Sequence, residues 1–291
     1  MEVFLQLMVS GLLLGGIYAL ISIGLNLIFG VIKIVNLAHG DFLMMSMYAT
    51  YWLFTLYRIN PYLSIPLVFI LAIISGIIVH LIIIKPLLGK AETEVNTILA
   101  TAGLGFVFQN LALMLWKSDY RAIETSITGK SYNFLGIMIS SGRFWAFIVV
   151  IAVALILYYI LMNTKLGLYI RAVSQDSDAA ILMGINVSKI YLFTFGLGVG
   201  LVGIAASIIT PIFYVFPTVG LYFTTISFVI VVLGGLGSFV GALIGGLIIG
   251  FVESVAGVLA NAELAQCFSL LIFLIILFVK PEGIMGKGAR V

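Results

Sequence analysis

Long apolar runs separated by short polar breaks set the pattern of this chain. A membrane span needs about 20 mostly apolar residues. Runs approaching that length occupy 4–29, 41–57, 63–84, 95–115, 144–163, 190–212, 221–235, 238–258 and 264–280. They predict an all-α polytopic transmembrane helical bundle of about 8–10 spans, forming one membrane-embedded domain over 1–291. The run at 221–235 is short and bounded by glycine, and 30–41 reads as a break between helices. Two polar breaks are long. One is a loop at 116–143, whose residues after Lys130 partly alternate and allow a short hairpin. The other is 164–189.

Composition agrees. Of 291 residues, 63% are hydrophobic and 9% charged, against about 25% charged in soluble domains. The single cysteine, Cys267, lies in an apolar run and excludes an internal disulfide. No basic region or cleavage site marks the start as a signal peptide, so the first run is expected to stay as a span. Lys and Arg set the expected orientation. With 164–189 in the cytoplasm, nine basic residues fall inside (Lys33, Lys85, Lys90, Lys165, Arg171, Lys189, Lys280, Lys287, Arg290) and five outside (Arg58, Lys117, Arg121, Lys130, Arg143). That bias puts the N-terminus outside, the C-terminus inside and the 116–143 loop outside.

Polar groups inside apolar runs are costly and therefore candidates for function. Asn36, His39 and Asp41 form the densest group, and a half-helix starting near Asp41 would be capped by that side chain. Discontinuous helices near the midplane build transport sites, although a capped helix start at the inner face accounts for the same residues. Gln109 and Asn110 hydrogen-bond between helices or line a polar path. With Asn36, His39 and Asp41 they make the candidate translocation path. His80 reads as interfacial, near Lys85. Glu253 faces a cavity or the outer rim, and the nearby Asn261 and Glu263 favour the rim. Glycines repeat every four residues at Gly11/Gly15, Gly196/Gly200, Gly237/Gly241/Gly245 and Gly246/Gly250. Small residues at that spacing let helices approach closely in lipid, and Gly237, Gly241 and Gly245 are read as helix-packing positions.

The break at 164–189 carries its own helical signals. Residues 174–177 offer N-cap side chains, Asp176 and Asp178 suit a first turn, and Gly184 suits the position that ends a helix. A short helix in water between two spans is a surface for a partner.

Enzyme chemistry is missing. Gly129-Lys130-Ser131 matches only the tail of a Walker A motif, because position 124 is Glu where Gly is needed. Two histidines far apart give no metal site. No G-x-S-x-G elbow occurs. The chain is expected to bind no cofactor, metal or nucleic acid itself.

Asp178-Ala179-Ala180, three further residues, then Gly184 resembles the EAA loop of ABC importer permeases, with Asp for Glu and without the later Ile-x-Leu-Pro. Other blocks in the same order narrow the resemblance to branched-chain amino acid permeases of the LivH type. These are Gly16-Ile-Tyr18, Gly24-Leu25, Asn36-Leu-Ala38-His39-Gly40-Asp41-Phe42, Thr101-Ala-Gly103-Leu104-Gly105, Lys165-Leu-Gly167, Val231 through Ser238, and Lys280-Pro281-Glu-Gly283. The resemblance implies a multi-pass permease subunit in a prokaryotic inner membrane. It would pair with a second, related permease subunit. Two ATPase subunits would hydrolyse ATP on the cytoplasmic side, and an extracytoplasmic binding protein would deliver leucine, isoleucine or valine. It also implies that Arg171, Asp176, Asp178, Ala179, Ala180 and Gly184 couple to the ATPase. A permease for another small polar solute (amino acid, amide or sugar) and an ion-coupled secondary transporter are the rival readings.

Overall fold

The computed structural model describes residues 2–125, 130–134, 137–259 and 262–286. Lys287 and Arg290, Gly129 and Asn261 lie outside the described residues, as do 126–129 and 135–136 of the long loop. Every predicted run is a helix. They are α1 (Glu2–Ile32), α2 (His39–Tyr57), α3 (Pro61–Val79, continued by a π turn at His80–Ile84), α4 (Thr93–Trp116), α5 (Ser141–Asn163), α8 (Val187–Ile209), α9 (Val219–Gly234), α10 (Phe239–Leu259) and α11 (Ala262–Val279). The 164–189 break holds two helices rather than one, α6 (Lys165–Gln175) and α7 (Ser177–Leu182). Among the described residues six helices are long and apolar enough to cross a membrane: α1, α3 with its π turn, α4, α5, α8 and α10. Two more, Val219–Gly234 and Leu264–Val279, are apolar but shorter.

Two helices form the centre. Most of α1 and α8 is buried, whereas α3, α4 and α5 turn most of their apolar surface outward. In water that distribution would be unstable; against lipid, outward leucine and phenylalanine cost nothing. Glycine sets the central spacing. A side chain at Gly15 would meet the Gly246 carbonyl at 2.6 Å and the Leu247 Cα at 2.8 Å, and one at Gly11 would meet the Phe251 Cα at 2.7 Å. So α1 and α10 touch backbone to backbone, and theirs is the most extensive helix pairing in the fold. Gly196 and Gly200 of α8 accept Ile73 and Ile77 of α3. Gly241 packs on Gly234, Gly245 lies against the Ile230 carbonyl, and Gly237 faces Gly30 in the turn between α9 and α10.

That turn is a junction. Gly237 has φ +82° and Gly235 φ +102°, a region that glycine enters without a steric penalty. Asn26 of α1 clamps it, donating to the Ser238 carbonyl and accepting from the Gly237 amide, both at 2.6 Å. The segment after α11 returns to it: the Ile284 and Met285 amides donate to the Leu233 and Gly234 carbonyls at 2.8 and 3.0 Å. Two sequence blocks about fifty positions apart thus meet.

The long loop contains the expected hairpin, β1 (Ser131–Phe134) antiparallel to β2 (Ile137–Ser140), with Ser131 opposite Ser140. Arg121 pairs with Val215 in an isolated bridge. His80, at the start of the π turn, is buried beside Phe195.

Candidate functional site where two helices begin

The break between α1 and α2 turns back into the bundle. The His39 imidazole donates from Nε2 to the Ile21 carbonyl at 2.9 Å; a carbonyl only accepts, so this nitrogen carries the proton. A Cβ on Gly24 would lie 2.5 Å from the Gly198 carbonyl and 3.4 Å from His39 Cε1. Gly198 is the midpoint of the 23-residue α8. So α2 begins at mid-depth, as a half-helix does.

A second helix begins beside it. The Gly40 amide donates to Thr224 Oγ1 at 2.9 Å. A Cβ on Gly220 would stand 2.7 Å from both the Gly40 carbonyl and Asp41 Oδ1. Only two glycines let the starts of α2 and α9 touch in this way. The extended stretch before α2 is held as well: the Leu37 amide donates to Thr101 Oγ1 at 3.1 Å, and the Ala38 amide to Asn36 Oδ1 at 3.2 Å.

A cavity of about 420 Å³ opens against this junction, walled by α2, α4, α9 and α11. Its walls are mostly apolar: Leu37, Ala102, Phe106, Leu221, Phe228, Val229, Leu270 and Phe273. Its polar edge is Asp41, Gln109, Thr224 and Thr225. Gln109 Nε2 donates to Asp41 Oδ1 at 2.9 Å. Volume and lining match those of small-molecule sites, about 300–1,000 Å³ with a few convergent polar groups.

The structure therefore brings Asp41 and Gln109 together on the cavity. Asn36 and His39 are wholly buried behind them and hold the backbone break. Asn110, one position along α4, points away; it is exposed and donates to the Phe106 carbonyl at 2.7 Å. Thr224 and Thr225 belong to the site without having stood out in the sequence. A hydroxyl in an apolar run is too ordinary a signal to mark.

Glu253 is buried inside the chain, 7% exposed. It accepts from Tyr18 at 2.8 Å, from Tyr222 at 3.0 Å and from Ser269 at 3.5 Å. This cluster ties α1, α9, α10 and α11 together.

In the 164–189 segment, Asp176 caps α7 by accepting from the Asp178 and Ala179 amides, both at 2.9 Å. Gly184 has φ +81°. Its amide donates to Ile181 and that of Ile185 to Ala180, at 2.9 and 3.0 Å, the paired bonds of a Schellman end. Arg171 ties this region to α5 through the Leu161 carbonyl. Asp178, Ala179 and Gly184 are exposed, whereas Ala180 packs inward. The tip is apolar, with Leu182 87% and Met183 83% exposed.

A family model described as the permease component of branched-chain amino acid transport systems matches residues 7–278. The high-affinity branched-chain amino acid transport system permease protein BraD of Pseudomonas aeruginosa is 29% identical, over 98% of this chain and 96% of its own length. The similarly named LivH of Salmonella typhimurium is 28% identical with the same coverage. The ribose import permease protein RbsC of Haemophilus influenzae is 32% identical over 68% of this chain and 61% of its own. No solved structure matches.

Proposed function

The chain belongs to the permease components of branched-chain amino acid transport systems, and from that premise we propose that it carries leucine, isoleucine and valine across a prokaryotic plasma membrane as one subunit of an importer. The family match over nearly the whole chain carries this reading. Two relatives of matching length bear that transport in their names. The ribose permease aligns over a shorter share, which makes a sugar the second choice.

In this reading a second, related permease chain completes the path. ATP binds and is hydrolysed on two separate ATPase subunits. An extracytoplasmic binding protein supplies the substrate. The positive-inside bias puts α6 and α7 in the cytoplasm, where the capped helix and its apolar tip would seat on an ATPase. Tight capture belongs to the binding protein, so the path needs only weak, selective contacts. A cleft between α4, α9 and α11 with an apolar lining and a short polar edge supports that role.

The test is uptake of labelled leucine by the complex purified from its native membrane and reconstituted in vesicles. ATP-dependent uptake that also requires the binding protein supports the reading. Uptake driven by an ion gradient without ATPase subunits overturns it, and uptake of ribose in place of leucine replaces the substrate. Gly184→Arg serves as the assembly control: the ATPase should be lost from the purified complex while the second permease remains.

A further inference from the structure

Asp41 is 2% exposed, yet it lines the cavity. Among the described residues its carboxylate accepts one hydrogen bond, from Gln109 to Oδ1. Oδ2 accepts none, and Gly105 keeps it free: a Cβ there would stand 2.5 Å from Oδ2. Among the described residues no Lys, Arg or His lines the cavity. A carboxylate inside an apolar bundle is expensive unless paired, and a cationic donor entering the cavity would complete Oδ2. Gln109 Nε2 has a second hydrogen, with no partner among the described residues, beside the same oxygens. The apolar lining is Phe106, Leu221, Phe228, Val229, Leu270 and Phe273.

We propose that Asp41 Oδ2 receives the ammonium group of an aliphatic amino acid passing through this cavity, with Gln109 facing its carboxylate and the apolar wall taking its side chain. The inference rests on the permease reading above. It adds which end of the substrate the membrane subunit reads, and with which residue. A neutral sugar offers Oδ2 only hydroxyl donors and no positive charge to match the carboxylate, so the site favours amino acids even after the binding protein has made its own selection.

The test uses the intact complex with Cys267→Ala and a reporter cysteine in the cavity, Thr225→Cys, with Ala102→Cys as an alternative position. The rate of thiol alkylation is read with leucine, with 3-methylbutylamine (which lacks the carboxylate) and with 4-methylpentanoate (which lacks the amine). Leucine and the amine should slow alkylation, and the acid should not. Asp41→Asn keeps shape and the Gln109 contact but removes the charge. It should raise the leucine concentration for half-protection about tenfold or more, the worth of a buried charged hydrogen bond. Equal protection by amine and acid overturns the proposal, and that comparison needs no Asp41 variant. Unchanged protection in Asp41→Asn also overturns it. If leucine is transported but never protects either reporter, the proposal fails and the permease reading stands. If leucine is not transported at all, the permease reading itself has failed.

Discussion

The Tyr18 hydroxyl of α1 donates to the Glu253 carboxyl of α10 over 2.8 Å, across 235 positions of sequence. Tyr222 of α9 shares the same oxygen and lies 2.7 Å from Tyr18, so the three groups form a closed triangle. Interhelical hydrogen bonds in membranes average about 0.6 kcal/mol, with a maximum near 1.7. Tyr18→Phe alone should fall in that range, because Tyr222 still serves the carboxyl. Tyr18→Phe with Tyr222→Phe leaves only Ser269 at 3.5 Å. An unsatisfied buried group costs about 1–3 kcal/mol, and more if charged. The double variant should therefore lose more than the sum of the singles in a thermal unfolding series in detergent. Strict additivity would show that the triangle does not hold Glu253.

The glycines divide by what a methyl would meet. Gly246→Ala drives its Cβ to 2.6 Å from Ala19, and Gly250→Ala drives it into the Gly15 backbone. Both should separate α1 from α10 and cut the yield of folded protein sharply, since backbone atoms cannot rotate aside as a side chain would. Gly103 and Gly257 face open space. Alanine there should be neutral or should stabilise by up to about 1 kcal/mol through helix propensity. Gly103→Ala beside Gly105→Ala is the sharpest comparison. Only the second pushes on Asp41, so only the second should impair uptake while both proteins assemble.

The sequence exposed what depends on runs and on local signals. Nine apolar stretches became nine helices. The polar knot at Asn36–Asp41 marked the break between α1 and α2, and Asp176 with Gly184 bounded α7. What it hid depends on rotation and on distant partners. Gln109 and Asn110 are neighbours in sequence, but consecutive helix positions point about 100° apart, so only one meets Asp41. The partners of Glu253, Tyr18 and Tyr222, stayed hidden because they are remote in sequence. Asn26 did not stand out because its target is the backbone of a turn more than two hundred positions away.

Arg121 illustrates the same limit at the surface. The charge count puts Arg58, Lys117 and Arg121 on the outer side, where a binding protein would dock. In the fold Arg121 lies 5.4 Å over the rings of both Tyr51 and Trp52, and donates to the Trp116 carbonyl at 3.0 Å. Its pairing with Asp119 is loose, at 3.9 Å. A planar guanidinium suits two rings and a carbonyl; an ammonium does not. Arg121→Lys keeps the charge but should destabilise the α2–α4 end by about 1 kcal/mol. Capture of the binding protein should stay unchanged in that variant and fall in Arg58→Glu and Lys117→Glu, as measured by pull-down at low salt. A loss of capture in Arg121→Lys with unaltered stability would return Arg121 to the docking surface.

The last prediction separates the shape of α7 from its surface. Asp176→Ala removes a cap that serves two amides, at a cost of about 0.5–2 kcal/mol. Gly184→Ala meets no atom within 4 Å but must keep φ at +81°, a strain of about 1–2 kcal/mol. Both variants loosen a six-residue helix at the edge of the bundle. Neither touches the α1–α8 core, so the unfolding midpoint should barely move. Leu182→Asp changes neither cap nor backbone; it puts charge on a side chain that is 87% exposed. If α7 seats on an ATPase through its apolar tip, Leu182→Asp should abolish ATPase co-purification outright. Asp176→Ala and Gly184→Ala should reduce it in proportion to the loss of helix. Hydrogen exchange across 176–185 gives the order. Leu182→Asp should show wild-type protection without ATPase, and the two cap variants should show lowered protection with partial ATPase. Retention of the full ATPase complement by Leu182→Asp would mean that the partner contacts some other face of this segment.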